Sequence, residues 1–169
     1  MDNENIWCRT LLTSYRALNT FSKTLDNTLE KLALKGFNGY SSGYSTDMLY
    51  DKMLEVIDRK KGLVNIKVLV DRAMSMLPVK DYEILKLRYF DGVDAMQSAE
   101  VLGLNDRTYF RRLNKALSAF MFNVKREGYD VERIKREYKN ERFIVALYQR
   151  LLKKSLCNVA VDKPMKKAA

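Results

Sequence analysis

The chain has 169 residues, 31 Lys and Arg against 21 Asp and Glu, and a formal net charge of +10. That length suits one domain, or one small domain with extensions. Histidine is absent, which removes the commonest general base, the commonest metal ligand and the Ser-His and Cys-His nucleophile pairs.

No phosphate-cradling GxxxxGK loop or paired-carboxylate motif is present, so neither an enzyme nor a cofactor or metal is expected. Cys8 and Cys157 stand far apart with no CxxC partner and read as buried thiols rather than a disulfide or a zinc site. No apolar run approaches the ~20 residues that span a bilayer. The opening MDNENIWCRT is acidic and lacks the basic-then-apolar order of a signal peptide. A cytoplasmic protein without membrane contact is the expectation. Glycine and proline number only 7 and 2, and helix formers abound, which predicts an all-α chain. Charge is uneven: the net is +2 over residues 1–77, +1 over 78–124 and +7 over 125–169. Most of the attraction for a polyanion therefore follows residue 124.

In chain order, residues 5–35 read as one long helix. Leu11, Leu18, Leu25 and Leu32 recur every seventh position, with Cys8, Tyr15, Ser22 and Leu29 as the second stripe of a heptad. The Gly- and Ser-rich stretch GFNGYSSGYST then suits a reversal. Its Phe37, Tyr40 and Tyr44 pack over the hairpin end or, alternatively, stack on bases. Residues 47–77 repeat the pattern with Leu49, Val56, Leu63, Val70 and Leu77. Met53 and Met74 join the seam, but Lys60 and Lys67 fall there too, which suggests a surface-facing or imperfect seam. Ile57, Val64 and Val68 widen the apolar face toward that of a bundle. Gly62 marks a kink or a break. The simplest packing is a long antiparallel helical hairpin over 1–77. It closes either on itself or on a second copy, as a four-helix bundle in a homodimer.

Pro78 opens a new helix, 79–90, which buries Ile84, Leu85 and Tyr89 and stops at Asp91-Gly92. Asp94 can cap the next, with Gln97 bonding back as in a capping box. Ala99 allows a close helix crossing, and Gly103 supplies a left-handed stop. Asn105 caps a longer helix, 106–120, with Asp106 in its positive first turn. Cap, short helix, glycine turn, cap, basic helix is the grammar of a helix-turn-helix DNA reader. On the second helix Tyr109, Leu113, Ala116, Leu117 and Phe120 share one stripe, and Arg107, Arg111, Asn114, Lys115 and Ser118 the opposite one. Arginine forks onto guanine and asparagine onto adenine, while lysine suits phosphates. That helix continues to Glu127, with Gly128 after it. Asp130 caps a last helix, 131–156, strongly charged in its first half and apolar in its second. The apolar half docks on the hairpin while the basic half follows DNA phosphates. Alternatives are a docking helix for a protein partner, an amphipathic helix on a membrane, or a solvated helix laced by Glu132, Glu137 and Glu141. Residues 157–169 read as a disordered tail.

From Leu77 to Leu117 the chain resembles, without a gap, the fourth conserved region of bacterial sigma factors. The matching residues are Leu77, Pro78, Leu85, Leu87, Arg88, Tyr89, Gly92, Ala99, Glu100, Leu102, Gly103, Thr108, Arg112, Leu113, Ala116 and Leu117. Tyr82 departs from a frequent arginine, Ser98 from an aliphatic position, and Asp94 and Asn105 from serine caps. The TYFRR run of Thr108 to Arg112, with the hairpin and its Gly/Ser loop upstream, is similar to sigma-like late-gene regulators of phages, the ArpU and RinA type. The resemblance implies transcriptional control, with contacts to RNA polymerase near a −35-like site. No equivalent of the sigma region that opens the −10 element is visible, so a regulator is expected rather than a stand-alone sigma factor.

The reading is therefore an all-α, sequence-specific binder of double-stranded DNA in three parts: a hairpin over 1–77, a helix-turn-helix domain over 78–127, and a basic helix with its tail over 128–169. Arg107, Arg111 and Asn114 approach base edges. Thr108, Arg112 and Lys115 hold phosphates or the helix start, and Arg88 does so from the preceding helix. Phe110 touches a thymine methyl or packs at the rim of the core stripe. Rival readings are a phage packaging adaptor of the small-terminase kind and a protein-interaction module that uses the motif as a scaffold.

Overall fold

The structure, a computed structural model, describes residues 3–37 and 45–161, with the side chains of 37 and 156–161 excluded. The aromatic loop at Tyr40 and Tyr44, the side chains of Phe37 and Cys157, and the tail from 162 lie outside the described residues. All described elements are helical: α1 (Asn3–Phe37), α2 (Thr46–Ser75), α3 (Val79–Leu85), a π-helical turn (Lys86–Phe90), α4 (Ala95–Val101), α5 (Asp106–Arg126), α6 (Val131–Tyr138) and α7 (Arg142–Val161). No helix among the described residues is long and apolar enough to cross a membrane.

α1 and α2 form the expected antiparallel hairpin. Tyr15 Oη donates to Asp71 Oδ1 at 2.6 Å, Lys67 Nζ donates to Asn19 Oδ1 at 2.9 Å, and Lys60 pairs with Asp26. The partners descend α2 as they climb α1. The seam between the helices is Leu11, Leu18 and Leu25 against Leu63, Ile66, Val70 and Ala73, all buried.

One expectation for α2 holds and two are corrected. Lys60 and Lys67 face the surface at the rim of an imperfect seam, where their ammonium groups reach polar partners on α1. Ile66 and Ala73, three residues after Leu63 and Val70, take the seam positions instead. Ile57, Val64 and Val68 do not widen the packed face: they are 46 %, 43 % and 42 % exposed, on the side of the helix opposite the seam. Gly62 neither kinks nor breaks α2, which runs through it continuously.

The first part of α1 is buried on nearly every side. Ile6, Trp7, Cys8, Leu11 and Leu12 are in the core with Thr10 and Ser14. The two hydroxyls are satisfied locally, donating to the carbonyls of Ile6 and Leu11 at 2.8 Å. α2, the π turn, α5, α6 and α7 all pack on α1, and one hydrophobic cluster joins residues from all three predicted segments.

The C-terminal region departs from the single helix 131–156. Asp130 caps α6 by accepting from Arg133 N at 2.7 Å, but α6 ends at Tyr138 and α7 begins at Arg142. The break separates the charged half from the apolar half. Glu141, at the break, is buried and pairs with Arg59 of α2 at 3.5 Å. This pairing gives the carboxylate a partner that a straight solvated helix would not supply. The apolar half docks on α1 as expected: Tyr148 stacks on Trp7 with centroids 4.4 Å apart, and Phe143 meets Phe21 at 4.4 Å.

Nothing lies within 4 Å of a Cβ added at Gly62. Gly62→Ala should therefore raise the unfolding free energy by about 0.5–1 kcal/mol, read as a higher urea midpoint at unchanged slope.

Candidate nucleic-acid interface

The helix-turn-helix is α4, the Gly103 turn and α5. Asp94 Oδ1 accepts from Met96 N at 2.9 Å and Gln97 N at 3.0 Å, so it caps α4. Gln97 makes no return bond among the described residues; the capping box is one-sided. Gly103 has φ +62°. Leu104 N donates to Ala99 O at 2.8 Å and Gly103 N to Glu100 O at 2.9 Å, the paired bonds of a left-handed helix stop. Asn105 Oδ1 accepts from Thr108 N at 2.8 Å and opens α5.

α5 is clamped along one side. Tyr109, Leu113, Ala116, Leu117, Phe120 and Val124 are buried, against α1, α2 and α3. Asn123 Nδ2 donates to Ala73 O of α2 at 3.0 Å, and the buried Cys8 thiol of α1 donates to Leu117 O at 3.4 Å. Burial pushes the Cys8 thiol well above its ordinary pKa, so it stays protonated and unreactive.

The opposite side is open. Arg107, Arg111, Arg112, Asn114, Lys115 and Ser118 are exposed, and Thr108 is half-buried near the cap. No ion pair among those described involves Arg107, Arg111, Arg112 or Lys115. Phe110 is 50 % exposed, with its ring edge-on to Tyr109 at 5.4 Å. The sequence reading did not single out Phe122, which is also exposed and extends the cationic side by one further turn.

Arg88 is placed differently from these. It sits on the π turn, where its Nη1 donates to Val93 O at 3.0 Å and steadies the lead-in to α4. The helix expected over 79–90 is in fact α3 followed by that π turn, in which Asp91 N bonds to Lys86 O. The extra residue per turn rotates Arg88 and Tyr89 relative to an unbroken α-helix. Tyr89 is half-buried and touches the core cluster; burial pushes its hydroxyl up to about 12, so it stays neutral.

Arg88 also faces side chains that sequence order keeps far apart. A cavity of about 390 Å³ lies between α1, the π turn, the start of α5 and the end of α7, with Arg9, Arg16, Arg88 and Lys154 in its lining. No spacing rule joins positions so distant in the chain, and the sequence reading missed this assembly.

Residues 67–120 match the family model described as "Sigma-70, region 4". That is under half of the chain, and it identifies the helix-turn-helix as sigma-region-4-like. The match begins inside α2, upstream of Pro78, so the last turns of the hairpin belong to the matched unit as well. No curated protein and no solved structure matches the chain.

Cap and open face should separate cleanly by mutation. Asn105→Ala leaves Thr108 N without its acceptor and should cost about 1 kcal/mol of stability. Arg107→Ala and Arg111→Ala remove no described bond and should stay within about 0.5 kcal/mol of wild type, both judged by chemical denaturation.

Proposed function

We propose that the protein is a non-enzymatic, sequence-specific regulator of transcription that inserts α5 into the major groove of double-stranded DNA, in the manner of the −35-reading part of sigma factors. The observation that carries this reading is the open side of α5. Three arginines, a lysine and an asparagine stand exposed on a helix whose other side is locked into the core. Arg107, Arg111 and Asn114 present forked donors suited to base edges. Arg112, Lys115 and Thr108 suit backbone phosphates, and Arg88 supports the loop before α4. Phe110 meets a thymine methyl from the rim. We also infer a likeness to the ArpU and RinA type of phage late-gene regulator, and with it contact with RNA polymerase, from the run Thr108 to Arg112 and the hairpin upstream.

The reading includes a homodimer built on the outer side of α2. Tyr50, Leu54, Ile57, Val64 and Val68 are all exposed there, at alternating four- and three-residue steps interrupted only by Lys61. That is the spacing of a helix-pairing stripe. One flank carries Asp51 and Asp58 toward the start of α2 and Arg72 toward its end. An antiparallel second copy brings Asp51 of each chain to Arg72 of the other, in exchange for the 3.3 Å contact that Arg72 makes with Glu127 of its own chain. The lysines of the other flank, Lys60 and Lys67, are already engaged by Asp26 and Asn19 of α1, which limits like-charge repulsion in that pairing.

Two measurements test the reading. In a binding assay on a site selected from a random duplex library, Arg111→Ala should cost ~1–3 kcal/mol and relax preference at one position. Lys115→Ala should weaken all sequences alike and lower the salt slope by about one. Unchanged binding in both variants removes α5 from the interface. Separately, Ile57→Glu combined with Val64→Glu should convert a dimer to a folded monomer in sedimentation equilibrium; an unaltered mass distribution rejects the α2 interface.

A further inference from the structure

The cavity beside the helix-turn-helix gathers cations with no acid among its lining residues. Arg9 and Arg16 come from α1, Arg88 from the π turn and Lys154 from α7. Arg9 Nε donates to Asn5 Oδ1 at 2.7 Å and Arg88 Nη1 to Val93 O at 3.0 Å. Both partners are neutral and orient the guanidinium without cancelling its charge. Arg16 lies directly over Gly92: a Cβ there would sit 2.2 Å from Arg16 Nη1. Gly92, at φ +75°, thus leaves the guanidinium room against the backbone.

Elsewhere the fold pairs its charges across elements, as in Lys125 with Glu4, Arg72 with Glu127 and Arg59 with Glu141. At this cavity it does the reverse. Converging like charges on a concave wall is unfavourable in the empty protein, and it focuses positive potential on whatever enters. The apolar part of the lining includes Phe110 and Leu151, and the exposed Phe110 ring offers a flat surface. The volume falls in the range of small-ligand pockets.

We propose that this cavity is a binding site for a ligand with adjacent phosphates, held by Arg9, Arg16, Arg88 and Lys154. Forked guanidinium donors match phosphoryl oxygens in pairs. Two sources carry such groups: a free nucleoside polyphosphate, whose base would lie on Phe110, and consecutive phosphates of a duplex passing α5. With a free nucleotide the site stands on its own lining; with a duplex it rests on the reading given to α5.

The test uses the full chain and the exposed cations Arg16 and Lys154, neither of which is assigned to the α5 interface. Titration calorimetry with inorganic pyrophosphate and with ATP, both without DNA, is run on wild type, Arg16→Gln and Lys154→Gln. Binding by wild type that weakens about tenfold or more in each variant, at unchanged thermal unfolding, supports the site with a free nucleotide as its source. No binding of either probe, together with a duplex salt slope lowered by about one in each variant, supports the site with the duplex as its source. Failure of both probes and an unaltered salt slope overturn the proposal, as does pyrophosphate binding that both variants retain.

Discussion

Everything in this molecule leans on the first four turns of α1. A helix that is apolar on one stripe can lie on a surface; one that is apolar nearly all round must be enclosed. From Ile6 to Ser14 α1 is enclosed in this way, with Ile6, Trp7, Cys8, Leu11 and Leu12 in the core, and its two buried hydroxyls bond back into their own helix. α2 covers one side, α7 another, and the π turn and α5 close the rest. The helix-turn-helix therefore has a floor that comes from the opposite end of the chain. Cys8, with its thiol on Leu117 O, touches what a reading confined to residues 78–127 would treat as that domain's own interior. Because α5 is held from beneath by α1, α2 and α3, its open side has a fixed direction.

The same packing sorts the charge. A net of +10 is an excess that the chain's own acids cannot match, so its placement in space decides what it attracts. α6 pairs: Arg133 bridges to Glu137 and Lys135 to Glu132, each at 2.7 Å. Both acids are already counted in the +7 of residues 125–169, so these pairs fix where two of its cations point without lowering the excess. The α5 side and the α1–α7 cavity are close to neutral or modest in the linear charge count, yet their cations enter no ion pair among the described residues. Counting charge along the sequence and locating available charge in space give different answers, because pairing distances of a few ångströms decide availability.

Local chemistry was the legible part. The caps at Asp94, Asn105 and Asp130 and the left-handed turns at Gly103 and Gly128 act within a few residues, and all are found where residue type placed them. The buried stripe of α5 was equally legible, since one helix period decides it. What failed was choice among periods and among partners. On α2 the seven-residue stripe of Leu49, Leu63, Val70 and Leu77 is buried as expected, but Ile57, Val64 and Val68 form a second apolar stripe on the opposite side and do not widen the first. At the break at 139–141 Glu141 meets Arg59, a contact between distant positions. The π turn depends on how Lys86 to Phe90 fit against α1. The cavity draws on residues 9, 16, 88 and 154, and only the finished fold brings them together.

α2 finally links the two halves of the functional reading. It is one unbroken helix from Thr46 to Ser75, its end lies in the sigma-like match from residue 67, and Asn123 ties α5 to it at Ala73. No hinge separates the outer stripe from the recognition helix. In the antiparallel pair proposed above, Asp51 facing Arg72 puts the two-fold axis between Lys61 and Gly62. At about 1.5 Å of rise per residue, Ala73 then lies roughly 17 Å from that axis, and the two anchors of α5 are about 35 Å apart. That is close to the one-turn spacing of half-sites read by paired helix-turn-helix proteins. A stripe on the outside of the hairpin and a basic helix on the inside thus meet one geometric requirement. The continuity of α2 through Gly62, where a break was expected, is what makes that requirement rigid.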